Sequence, residues 1–280
     1  MPTVTAYRNG STAGIGGGNP NPKKRDVVKG WTAGAVRRHT SWLYSVDAPQ
    51  LDGVGYALTL TMRDTPATAD DFHAMRKAFM MRVSRLGASR THWVVEWQRR
   101  GTPHLHCAIY FPDDVAAASP GMSLPAQMVF GWLDISEHLG AQKAAQHFDV
   151  IDGDLGWLQY LSKHAARGVK HYQRSGHPAG WQRTGRLWGH GGNWPVDAPM
   201  KFDMTQPAYW RFRRLVRSWR IADARKSGDS KRIKYARRML SCGDRRLSEV
   251  RGVSDWLPEE ISLQLIALLE QDHVIVQRAE

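Results

Sequence analysis

A chain of 280 residues with 42% hydrophobic and 23% charged residues has the composition of a globular protein, which excludes a disordered polymer, a collagen-like strand or a coiled-coil rod. The longest mostly apolar stretch, Ile261 to Leu269, is too short to cross a bilayer, no apolar run follows Met1 to suggest a secretory signal, and two cysteines are too few for a disulfide framework. The net charge of +13 predicts a polyanionic partner, nucleic acid first, in a reducing cytoplasm and away from membranes.

In chain order, residues 1–40 read as a flexible tail, because Gly16-Gly17-Gly18-Asn19-Pro20-Asn21-Pro22 offers little to pack and Lys23-Lys24-Arg25 adds charge. From Tyr56, apolar residues alternate through Leu58, Leu60 and Met62, predicting a strand with one buried face. Phe72, Met75, Phe79 and Val83 recur at three and four, predicting an amphipathic helix over Asp70 to Leu86. Two strands, Thr91 to Gln98 and His104 to Phe111, flank a turn and predict a hairpin. A helix over Leu124 to Leu139, a short strand over His147 to Ile151 and a helix over Asp154 to Arg167 follow. The β-α-β-β-α-β-α order predicts an α+β domain, a central antiparallel sheet with helices, over residues 41–200.

Residues 201–280 read as a mostly helical, basic extension. Tyr209 to Leu240 predicts one or two helices broken near Gly228. Asp255 to Val276 predicts a closing helix with Leu257, Ile261, Leu265 and Leu268 on one face. Between Tyr209 and Arg246, fourteen Lys and Arg stand against three Asp, so this segment holds most of the net charge. Phosphate contact is expected from Arg211, Arg213, Arg214, Arg217, Lys231, Arg232, Lys234, Arg237 and Arg238. Trp181, Trp188 and Trp194, set among Arg183 and Arg186, are expected to line a single-stranded DNA path by stacking; a tryptophan-rich core lid is the alternative.

The predicted hairpin carries the chemistry. Side chains alternate along a strand, so His104 and His106 share one face while Leu105, Cys107 and Ile109 take the other. A turn centred on Gly101 would set Glu96 opposite His106 and Gln98 opposite His104. Two imidazoles and a carboxylate suit a divalent cation, Mg²⁺, Mn²⁺ or Zn²⁺, with a position open to substrate. On the later helix, Tyr160 and Lys163 are neighbours one turn apart, and a tyrosine beside an ammonium near a metal is a candidate nucleophile.

In order and spacing, Ala57-Leu58-Thr59-Leu60-Thr61, then Glu96…His104-Leu105-His106, then Tyr160-Leu161-Ser162-Lys163 resemble the three motifs of HUH-superfamily endonucleases. The closest likeness is to rolling-circle replication initiators of single-stranded DNA phages and small plasmids. Their Glu-x-Gln-x-Arg-Gly-x-Pro-His-x-His run stands here at residues 96–106 and their Gly-Arg-x-Trp-Gly segment at Gly185 to Gly189. The resemblance, over roughly Tyr56 to Pro195, implies the HUH fold and metal-dependent, site-specific nicking and joining of single-stranded DNA. It implies that His104, His106 and Glu96 hold the cation, that Tyr160 becomes linked to a 5′-phosphate and frees a 3′-OH, and that Lys163 assists. Some relatives carry a second tyrosine one turn later, where this chain has His164, so termination would draw on a second protomer of a homodimer or on Tyr172. Lacking a P-loop, the chain would rely on a host helicase, and the 3′-OH on a host polymerase. A single-tyrosine transposase of the same superfamily and a noncatalytic DNA-binding regulator are the rival readings.

Overall fold

The computed structural model describes residues 1–15, 27–118, 121–166, 172–238 and 253–278. In chain order these form strands β1 (Pro2–Ala6) and β2 (Gly10–Ile15), helix α1 (Ala33–Ser45), β3 (Val54–Leu60), α2 (Ala69–Arg85), β4 (Arg90–Trp97), β5 (Pro103–Phe111), α3 (Asp113–Ala117), α4 (Leu124–Ser136), β6 (His147–Val150), α5 (Asp154–Ala166), α6 (Tyr172–Ser175), β7 (Trp188–Gly192), β8 (Met200–Met204), α7 (Gln206–Lys226), α8 (Ser230–Arg238), β9 (Val253–Trp256), α9 (Glu259–Glu270) and β10 (Ile275–Gln277). The protein is α+β, with two five-stranded antiparallel sheets. Each belongs to one of two compact units: Lys24–Leu43 with Ala48–Pro195, and Met1–Lys23 with Tyr44–Asp47 and Val196–Glu280. No described helix is long and apolar enough to cross a membrane.

The larger unit holds a sheet of order β6-β3-β5-β4-β7. Alternation on β3, β4 and β5 sends Leu58, Leu60, Trp93, Val95, Trp97, Leu105, Cys107 and Ile109 to one face, all buried. Helix α2 covers that face with Phe72, Met75, Phe79 and Val83, and the Arg76 guanidinium lies 3.9 Å over the Trp93 ring. The helix starts in a capping box, in which Thr68 accepts from the Asp71 N–H and Asp71 accepts from the Thr68 N–H. The apolar periodicity therefore settles which way the sheet faces.

The hairpin register differs from the expected one. Glu96 stands opposite His104, and Val94 opposite His106. The Gln98 N–H donates to Thr102 O, leaving Arg99-Arg100-Gly101 as a three-residue loop with Gly101 at φ +88°. The turn is thus centred on Arg100. The shift is two residues, so no side chain changes face; a shift of one would have turned the histidines into the core.

Strand β7 lies in a glycine- and tryptophan-rich stretch that has no clear period in the sequence. It closes the sheet edge against β4, with His92 opposite His190. Gly192 ends it at φ +81°, and a Cβ there would collide with the Ser89 carbonyl oxygen. Gly192→Ala is expected to cost at least about 2 kcal/mol, read as a lower urea midpoint.

The second unit corrects two expectations. Residues 2–15 are not a tail: β1 and β2 form a hairpin at the centre of a sheet of order β10-β8-β1-β2-β9, with Val4, Ala6, Ser11 and Ala13 buried. The alternation there uses small and β-branched residues, too weak a hydrophobic signal to stand out beside the glycines that follow. Residues 33–40 lie in α1, and 16–26 lie outside the described residues. The C-terminal region is not only helical either, since β8, β9 and β10 all join this sheet. The basic segment does form two helices divided at Gly228, as its pattern predicts. Helices α7 and α9 pack with the sheet around Val4, Phe202, Met204, Tyr209, Phe212, Val216 and Ile266. The buried residues of α9 are Ser262, Ile266 and Leu269, one step round from the expected Ile261, Leu265 and Leu268. Residues 261–269 are apolar on most sides, so periodicity alone does not choose between adjacent stripes.

Candidate active site

On the sheet face opposite α2, β3, β4 and β5 bring Thr59, Glu96, His104 and His106 together. Register places Thr59 opposite His106 and Glu96 opposite His104. Glu96 and His106 are 3% and 5% exposed, and His106 Nε2 stands 3.3 Å from Glu96 Oε2. Thr59 Oγ1 lies 3.1 Å from the other ring nitrogen, Nδ1, which fixes the ring so that Nε2 faces the carboxylate. The His104 ring is centred 4.6 Å from the His106 ring, and its Nδ1 lies 3.1 Å from the Gln98 amide nitrogen, which also donates to the Thr61 hydroxyl. From α6, Gln173 Nε2 donates to Glu96 Oε2 at 3.0 Å.

Burial, with His106 and Arg100 nearby, pushes the His104 imidazole down to about 3, so it is neutral at physiological pH. A neutral imidazole is the form that ligates a metal. The donor chemistry, two rings and a buried carboxylate on one face, therefore fits a divalent cation. As they stand, no three His, Cys, Asp or Glu side chains among the described residues converge in metal-holding geometry. His106 and Glu96 already face each other, and His104 adjoins them.

Acid should loosen this unit. His104, and the buried His92 beside His39, both have folded values below the ordinary 6.5. From about 6.5 down to about 3 the unfolded chain binds protons that folded His104 does not, so stability falls as pH falls. Metal-free protein should show a lower urea midpoint at pH 5 than at pH 7, and His104→Gln should lessen the difference.

Helix α5 brings the tyrosine to the same face. Leu158 and Leu161 are buried, which turns Tyr160 outward, 38% exposed. Its ring is centred 6.4 Å from that of His106, edge to face, and stacks on Trp157 at 5.3 Å. Lys163 follows in the same helix, and its side chain, like that of Arg238, lies outside what the structure describes. Tyr172, at the start of α6, is 37% exposed, with the Arg99 guanidinium 5.8 Å from its ring centre.

The tryptophans expected on a DNA path pack inward. Trp181 and Trp194 are buried, Trp181 donating to Pro66 O and Trp194 to Gly191 O. Trp188 is half-buried against His39 at 4.8 Å, while Arg186 is exposed. Trp181 packs with Phe72 and Trp97 on the α2 face and Trp188 and Trp194 pack with Trp42 on the other, so the rings join the core on both sides of the sheet rather than one lid. The basic helices sort in the same way. Arg213 is buried over the Tyr209 and Trp210 rings, Arg211 pairs with Asp272, Arg232 with Asp223, and Arg217 donates to Arg237 O. Arg214, Lys231, Lys234 and Arg237 are exposed, as are Arg225 and Lys226. Arg245 and Arg246 lie outside the described residues.

Two contributors escaped the sequence reading. Thr59 was legible in principle, since period two puts it on the histidine face, whereas nothing near Gln173 signals that it reaches Glu96.

Comparison with known proteins matches residues 55–191 to the family described as replication-associated protein ORF2/G2P. The chain is 46% identical over 280 residues, 96% of each chain, to a protein named as a replication protein in Xylella fastidiosa strain 9a5c. It is 44% identical over 277 residues, 96% of this chain and 98% of the other, to the replication-associated protein G2P of Pseudomonas phage Pf3. No solved structure matches it.

Proposed function

This chain belongs to the replication-associated protein ORF2/G2P family, and from that premise we propose that it is a rolling-circle replication initiator: a metal-dependent, site-specific nickase and strand transferase of the HUH type. The observation that carries the reading is the Tyr160 ring edge-on to His106, itself 3.3 Å from Glu96, on one sheet face.

His104, His106 and Glu96 would hold a Mg²⁺ or Mn²⁺ ion, which when bound polarises a non-bridging oxygen of the scissile phosphate. Thr59 and Gln173 orient the ligands. The Tyr160 phenol oxygen forms a bond to phosphorus as the bond to the 3′-oxygen breaks. The phenol gives up its proton, the 3′-oxygen takes one, and the 5′-phosphate stays on the tyrosine. Attack by a 3′-OH reverses these steps and reseals the strand without ATP. Lys163, one turn along α5, would favour the phenolate. A second copy of the chain, or Tyr172, would serve termination, while a host helicase and polymerase open and extend the duplex.

The test is direct. Full-length protein, labelled single-stranded DNA and Mn²⁺ should give an adduct that survives denaturant and disappears with chelator. DNA binding without any adduct would leave a noncatalytic regulator instead.

Among the described residues of α7 and α8, the exposed Arg214, Arg225, Lys226, Lys231, Lys234 and Arg237 are open to origin duplex. Six such contacts predict roughly a thousandfold loss of affinity between 50 and 200 mM salt, measurable by fluorescence anisotropy. A flat response would remove these helices from the interface.

A further inference from the structure

Tyr160 and Thr59 line one side of a cleft of about 380 Å³ that extends along β6 and the start of α5. Its floor is the sheet. Ala57 and Thr59 of β3 stand opposite Asp149 and His147 of β6, so all four share the face that carries His106. One wall is α5, where Gly156 leaves open space and Trp157 stacks on Tyr160. The volume is within the range of small-ligand pockets.

The lining says what kind of ligand fits. Among the described residues it includes the carboxylates of Asp149 and Asp152 and no Lys or Arg. Those carboxylates give acceptors to the amino edge of a nucleobase. Asp149 Oδ1 accepts from the Val150 N–H at 3.0 Å, which holds the carboxylate on the strand and leaves Oδ2 to a ligand. The aromatic wall offers a π-face of the kind on which bases stack. A strand whose phosphate sits at Tyr160 must place a flanking base within one nucleotide of this cleft.

We propose that the cleft seats one unstacked base next to the scissile phosphate and selects for an exocyclic amine, cytosine, adenine or guanine over thymine, through Asp149. This rests on the nicking assignment and adds to it the recognition of the nick site.

The test uses full-length protein, Mn²⁺ and a pool of single-stranded oligonucleotides of random sequence, with adducts isolated under denaturing conditions and their junctions sequenced. Wild-type junctions should favour cytosine, adenine or guanine over thymine at least tenfold at one flanking position. Asp149→Asn, whose amide both donates and accepts, should reduce that preference to below twofold with adducts still forming. A Cβ at Gly156 has nothing within 4 Å, so Gly156→Leu extends into the cleft, and leucine suits a helix. It should raise the DNA concentration giving half-maximal adduct at least tenfold, with the melting temperature unchanged. On an oligonucleotide abasic at that position, wild type and Gly156→Leu should react alike. Unaltered junctions in Asp149→Asn, or wild-type behaviour of Gly156→Leu, would overturn the base pocket while nicking stands. No adduct from wild type on any sequence would overturn both.

Discussion

Tyr160→Phe should lose covalent adduct formation by at least about a thousandfold, with its melting temperature and DNA affinity unchanged. The substitution removes one oxygen. The ring remains, and with it the stack on Trp157 and the edge contact to His106, so the helix has no reason to move. Leu158 and Leu161, which bury the other side of the helix, are untouched, so a loss of adduct at an unchanged melting temperature would read chemistry. The comparison is quantitative: adduct yield per minute on a denaturing gel, beside anisotropy on the same DNA. Adduct persisting at wild-type levels would move the nucleophile elsewhere, and Tyr172→Phe would then be the next variant.

His106→Ala should be the second most damaging change, and it acts on two levels. It removes a ring nitrogen 3.3 Å from Glu96, so the carboxylate keeps Gln173 but loses a neighbour at a site from which water is largely excluded. It also removes one of three donors from the proposed cation. We expect adduct formation to fall by about a hundredfold or more and Mn²⁺ affinity by calorimetry to fall with it. Adding Mn²⁺ should raise the melting temperature of the wild type and leave that of His106→Ala unmoved. A variant that still gains stability from Mn²⁺ would place the ion away from these residues. Thr59→Val should lie between the two proteins, because it keeps every ligand and loses only the hydroxyl that holds the ring.

The candidate site was readable to an unusual depth because its residues sit on elements of strong period. Alternation along β5 put His104 and His106 on one face whatever the exact register, which is why a two-residue error in the hairpin register did no harm to the reading. Helical spacing turned Tyr160 away from Leu158 and Leu161 without any tertiary information. Where the period is weak, the reading failed. The hairpin at residues 2–15 relies on Val, Thr and Ala rather than large apolar side chains, so it resembles a tail until its partner strands from the other end of the chain are in place. The Trp-rich stretch was ambiguous for the same reason: an indole stacks on a base or on a neighbouring ring with equal ease, and composition carries no sign of which is present.

Local pattern was thus enough to establish the hairpin's histidine face, the tyrosine's exposed helix face and the concentration of charge near the C-terminal end. Those properties depend on periods of two and 3.6 residues and on counting charges, and neighbours in sequence suffice for them. Long-range packing settled the rest: that Tyr160 lies on the same side of the sheet as His106, that Gln173 reaches Glu96, and that Arg213 is spent inside a core rather than offered to phosphate. Each of these depends on which surfaces meet when separate elements bury their apolar faces, and no stretch of chain carries that information alone.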